Sequence, residues 1–369
     1  MDRYHYCGIH NNYYCRIGSE YCFVMKRILL LLFLINSSLT FAQNVDLTSV
    51  DEFFKITDKL KNGKEIDEEQ WSQFESSTAY SIMDSRIIDI VKTSINYVFG
   101  DSESMMNLEN TNMLERLFVE NYKEVNNNYS DIKDFRNNYD FEMLISKAKF
   151  RLQSFLGCEM LDSSAKLKPV YFLFLNADAQ DRDEAIVVDL NFIYRMDEDA
   201  RVNLIAHEFF HAYRRHFENH DFNYANDINF ALDMIANEGI ADQIDKYNMD
   251  YNQYYSSIIN SQELAAEFTA LYDKAEEDIE YLQTIVVQYL KREIDFEECV
   301  DKLLSVYKYN GHVMGFYMSN QIVKAGLKDE MVKGFHNPYE FYRLYDLTLR
   351  DKGKSLDEDF LNYLKESTK

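Results

Sequence analysis

His207-Glu208-Phe209-Phe210-His211 is the stretch on which the reading of this chain turns. Histidines four apart in a helix stand one turn above each other on one face, because the helical period is near 3.6 residues. Both imidazoles can then reach a single Zn²⁺, and the glutamate after the first sits beside a metal-held water as a candidate general base. Chance explains the pattern poorly: with six histidines after residue 42 and Glu at about a tenth of positions, roughly 0.01 such matches arise by accident. The flanks suit a helix. Asp197 can cap it, Glu198 and Asp199 place negative charge in its first turn, and Val202, Leu204, Ile205, Phe209 and Phe210 supply apolar surface.

Two histidines leave a zinc site short of a protein ligand. One common completion puts a glycine and a third histidine in the pattern HExxHxxGxxH. Here those two positions are Arg214 and Phe217, and His216 falls one residue off. The other completion takes a glutamate from a second helix. Asn237-Glu238-Gly239-Ile240-Ala241-Asp242, within a predicted helix from Asp227 to Lys246, offers Glu238. Asp242, one turn further on the same face, can hold the outer nitrogen of a ligand histidine. The competing reading of this pair is an ordinary acidic, solvated helix face.

HEFFH followed by NEGIAD resembles the gluzincin superfamily of zinc metallopeptidases, in which HExxH is completed by the glutamate of an ExxxD pattern. NEGIA is similar to the NEGFA stretch of the aminopeptidase N family, and the overall layout resembles a group of exported bacterial proteins described as zinc-dependent peptidases. The specific motifs cover about residues 200–245. GxMEN, with which those aminopeptidases bind a free amine, is absent, so aminopeptidase action is not implied. What the resemblance implies is an α+β, mostly helical zincin-like fold with a small sheet next to the HExxH helix. Zn²⁺ would be held by His207, His211 and Glu238, with Asp242 behind them and Glu208 as base.

Met25-Lys26-Arg27, the apolar run Ile28–Ile35 and the small residues leading to Ala42 read as a signal peptide cut before Gln43. Residues 1–24 then form an upstream extension without a role, and residues 43–369 a single module. That module comprises a helical part 43–165, a zinc core 166–250 and a helical C-terminal part 251–369. The apolar run is too short to span a bilayer, and no cysteine follows to carry a lipid anchor. An exported protein, periplasmic or secreted, is expected.

Taking residues 1–42 away removes two acids and four bases, leaving 61 against 35 and a net charge of −26. Nucleic acid and anionic membrane, which need basic surface, are excluded as partners. A peptide or protein substrate is the expected one. Cys158 and Cys299 remain, enough for one disulfide in an oxidising compartment.

With two prolines and eleven glycines, long helices joined by short connections are expected. Apolar spacing predicts helices over residues 51–61, 66–77, 81–99, 109–124 and 131–156, and after residue 246 over 253–276, 279–291, 295–307, 312–325, 338–350 and 357–366. Two strands are expected before the zinc helix, Pro169–Leu175 and Glu184–Leu190, with Asn176–Asp183 as a hairpin loop. By the resemblance, Ala185–Asp189 would border the cleft as an edge on which an extended peptide pairs.

Gly311-His312 at a helix start allows another element to approach closely. His312 is a candidate donor to the oxyanion formed in amide hydrolysis, with Tyr307 and Tyr309 beside it; its alternative is a capping or packed histidine. The function expected is zinc-dependent hydrolysis of peptide bonds with Glu208 as general base. Its rival is a helical binding or assembly protein whose zinc is structural or vestigial.

Overall fold

The structure is a computed structural model that describes residues 45–100, 112–157, 167–217, 226–247 and 262–368. The signal-like segment, the extension before it, Cys158 and His220 lie outside the described residues. Cys299 is a buried free thiol. No helix among the described residues is long and apolar enough to cross a membrane.

Among the described residues the fold is mostly helical α+β with one four-stranded sheet. After β1 (Val45–Asp46) come helices α1 (Thr48–Lys61), α2 (Glu68–Glu75), α3 (Ser85–Phe99), α4 (Met113–Asn127), α5 (Tyr129–Asn138) and α6 (Phe141–Leu156). The expected helix 131–156 is thus two. Tyr139 is extended, and the Asp140 side chain starts α6 by accepting from the Met143 amide. Phe53, Phe99, Tyr122 and Phe174 form a ring cluster under the sheet. Tyr80 and Tyr122 both donate to the Phe174 carbonyl, so their hydroxyls fix the chain where it leaves the second strand.

That strand is β2 (Val170–Leu173), followed by β3 (Ala179–Asp181) and β4 (Ile186–Asp189), in the order β1-β2-β4-β3. The expected hairpin is corrected here. β2 and β4 run parallel, and the supposed loop contains β3, which pairs antiparallel with β4. β4 is therefore interior, and the edge expected at Ala185–Asp189 is instead β3. The physical reason lies in the side chains: all four β4 residues are buried, as befits a strand covered on both faces, whereas the short polar β3 suits an edge. Asp189 holds the turn between the strands. Its buried carboxylate accepts from the Leu175 and Ala177 amides and from Asn121, and it caps the next helix through Phe192.

That short helix, α7 (Leu190–Arg195), leads to α8 (Glu198–Arg214), capped by Asp197 through the Ala200 amide. α9 (Asp227–Asp245) is buried on nearly every face, the mark of a central helix. The fully buried Arg214 ties the end of α8 to α9 by a two-pronged pair with Asp233, at 2.6 and 2.9 Å, and donates to the Phe335 carbonyl. α10 (Gln262–Leu290) is one helix where two were expected. The buried stripe Ala275, Ile279, Leu282, Ile285 and Val286 runs through the supposed break, where Lys274 pairs with Asp278. α11 (Phe296–Val306), α12 (His312–Lys324), α13 (Lys328–Lys333), α14 (Pro338–Arg350) and α15 (Glu358–Ser367) complete the chain. α9 packs against α8, α11, α12 and α14, so its carboxylates can meet side chains from the distant C-terminal part.

Candidate metal centre

α8 presents His207 and His211 on one face toward α9, where Glu238 meets them. The Oε2 atom of Glu238 lies 3.5 Å from His207 Nε2 and 3.3 Å from His211 Nε2. His312, from the start of α12, brings its own Nε2 to 3.4 Å from the same oxygen. Its ring stacks on that of His207 at a centroid distance of 5.9 Å.

Each imidazole is held from behind by an oxygen of α9. Nδ1 of His207 is 3.1 Å from Asp245 Oδ1, that of His211 is 3.1 Å from Asn237 Oδ1, and that of His312 is 3.2 Å from Asp242 Oδ1. A carboxylate can only accept, so Nδ1 carries the hydrogen in the two carboxylate pairs and the neutral ring turns an Nε2 lone pair inward. Acceptors then face the acceptor Oε2 of Glu238, which is buried and has no hydrogen-bond partner among the described residues. Such a cluster needs positive charge in its middle. Bonds of about 2.0–2.1 Å to a tetrahedral ion separate neighbouring donors by roughly 3.3–3.4 Å, close to the 3.3–3.5 Å that separate Glu238 Oε2 from the three Nε2 atoms. The residues present therefore fit a zinc ion.

Asp242 was expected behind a histidine of the HExxH pair. It stands 3.7 Å from His207 Nδ1 and serves His312 instead, while Asp245 takes His207. Lys246, itself buried, reaches both Asp242 and Asp245 and balances their charge. The sequence reading missed Asn237, Asp245 and Lys246. Glu238, Asp242 and Asp245 follow one another at four and three residues, which places them on one helix face and was the signal available.

Burial by itself works against a charged His207, but Asp245 and Glu238 outweigh it and hold the imidazole well above its usual range in the metal-free protein. His312 is likewise raised, against its burial, by Glu238 and Asp242. Glu238 goes the other way: burial opposes its charge, yet His211 and His312 keep it well below the carboxylate range. These directions describe a site that takes up protons where a cation would otherwise sit.

Glu208 is buried beside the cluster and offers an oxygen within 4.8 Å of ring nitrogens of His207 and His211. Among the described residues no cation or donor is bonded to it. Burial pushes its carboxyl up, with Glu238 and Asp178 acting in the same direction and His207 and His211 against. It faces a cleft of about 1260 Å³ whose lining also includes Asp178 and the β3 residues Ala179, Gln180 and Asp181.

A catalogued family matches residues 55–352, most of the chain, and the protein belongs to it: the family described as "Putative zinc dependent peptidase (DUF5700)". No curated protein and no solved structure matches.

Proposed function

We propose that the protein is a zinc-dependent hydrolase of peptide bonds, with His207, His211 and Glu238 as metal ligands. Glu208 carries this reading. Among the described residues its carboxylate has no partner and it opens on the cleft, and a zinc site that only stabilises a fold has no use for a carboxylate placed so. This is why hydrolysis is favoured over the rival, a helical binding or assembly protein with structural zinc. A zinc ion held by these ligands would supply Lewis-acid polarisation of a carbonyl and acidify water at neutral pH.

The chain's own residues do the rest. Asp245 and Asn237 fix the ring planes of His207 and His211. Glu208 accepts a proton from the attacking water on a carboxylate oxygen, then passes it to the leaving amine nitrogen. The β3 strand at the end of the sheet, where Ala179 and Gln180 line the cleft and Asp181 is tied to Arg215, aligns an extended peptide by main-chain hydrogen bonds.

The test is a peptide-library digest with protein stripped of metal by a chelator and then given zinc. Cleavage that disappears with the metal and returns with zinc supports the proposal; a zinc-replete protein that cleaves nothing overturns it. The same reading places the protein outside the cytoplasm, on the strength of the Met25–Ala42 pattern. N-terminal sequencing from the native host should give Gln43, and recovery of Met25 or Met1 would refute export.

A further inference from the structure

We infer that His312 is a fourth protein ligand of the metal, so that the centre rests with three imidazoles and one carboxylate. The inference rests on the metal reading above and adds a donor that HExxH and ExxxD do not contain. Its basis is equivalence. The His312 Nε2 atom stands 3.4 Å from Glu238 Oε2, between the 3.3 and 3.5 Å of His211 and His207. Its outer nitrogen is held by Asp242 just as that of His207 is held by Asp245. His312 lines the cleft as the two HExxH histidines do, with its Nε2 turned to the carboxylate they share.

The chain before His312 is shaped for this placement. Tyr309, Asn310 and Gly311 all have positive φ, at 51°, 54° and 83°, a left-handed run that is strained for the two non-glycine residues. Gly311 lies against α9, where a Cβ would come 2.7 Å from Cγ1 of Ile235. The turn thus lays the first residue of α12 directly over Glu238 and Asp242. Of the four residues that would hold the metal, His312 has the most accessible side chain, 28% exposed.

X-ray absorption spectroscopy on the zinc-loaded wild type tests this without any variant: three imidazoles are expected around zinc, and two would overturn the inference. In His312→Ala the count should fall to two. Zinc affinity, read by chelator competition, should fall by more than the roughly 10–100-fold typical of losing an outer partner. Unchanged affinity in a folded His312→Ala would also overturn it while leaving the three-ligand reading intact. A wild type that binds no zinc would bring down both.

Discussion

Gly239 and Gly315 pack backbone against backbone: a Cβ on Gly239 would lie 2.7 Å from Gly315 Cα, and one on Gly315 would lie 2.8 Å from Gly239 Cα. No real side-chain carbon fits there. The contact lets α12 cross α9 closely enough for His312, one turn before Gly315, to reach Glu238, one residue before Gly239.

Gly315→Ala should therefore destabilise the protein, although alanine is the better helix former by about 1 kcal/mol. Overpacking costs about 1–3 kcal/mol, and here backbone meets backbone, so the upper end is expected. Thermal unfolding should show a lowered Tm, and chelator competition a weakened zinc affinity, as His312 is pushed away. A Tm at or above that of the wild type would show that the crossing is looser than described.

Asp245→Ala removes the oxygen behind His207, and zinc affinity should fall roughly 10–100-fold. Asp242→Ala should act through His312, so its effect should vanish in a His312→Ala background while that of Asp245→Ala persists. Chelator competition on the two double variants checks this. Equal losses from Asp242→Ala with and without His312 would return Asp242 to His207.

Acidity should separate the metal-free and metal-bound proteins. Without metal, His207 and His312 titrate above their unfolded value of about 6.5. Their stabilising contribution is complete below that value and is lost as pH rises through the raised folded values. Glu238, held low, contributes above about pH 4.3 and loses its contribution on acidification. The stripped protein should thus lose stability as pH rises above about 6.5, while zinc, which needs deprotonated imidazoles, binds better in the same direction. The gap in Tm between zinc-loaded and stripped protein should widen with pH. A gap that narrows would contradict the arrangement.

Asp189→Ala removes the acceptor for two backbone amides and Asn121, and with it the cap of α7. Hydrogen bonds to a charged group are worth roughly 1.5–3 kcal/mol each, and not additively, so a loss of about 3 kcal/mol or more is expected in denaturant unfolding. A loss under about 1 kcal/mol would mean the β2–β3 turn stands without it.

The HExxH helix was legible in the sequence because everything that makes it is local: the Asp197 cap, an acidic first turn and a four-residue histidine spacing. The same holds for the face of α9 that carries Glu238. The sheet was less legible. Val170–Leu175 and Ala185–Val188 are unbroken apolar runs, a sign of strands covered on both faces, yet their nearness in sequence suggested a hairpin. β3 has three residues and no apolar alternation, so nothing in the pattern announces it. The approach of His312 to Glu238 depends on where two helices cross, a long-range fact at which Gly311 hints in the sequence and which Gly239 and Gly315 explain once they are known to meet.

Glu208 carries the claim that this centre performs hydrolysis, and Glu208→Gln isolates it. The amide keeps the size of the side chain but cannot take a proton from water, and loss of a general base typically costs about 10²–10⁴-fold in rate. Zinc content and peptide cleavage measured on the same Glu208→Gln sample should show full metal and a kcat lowered by that factor. Full metal with undiminished cleavage would contradict the account.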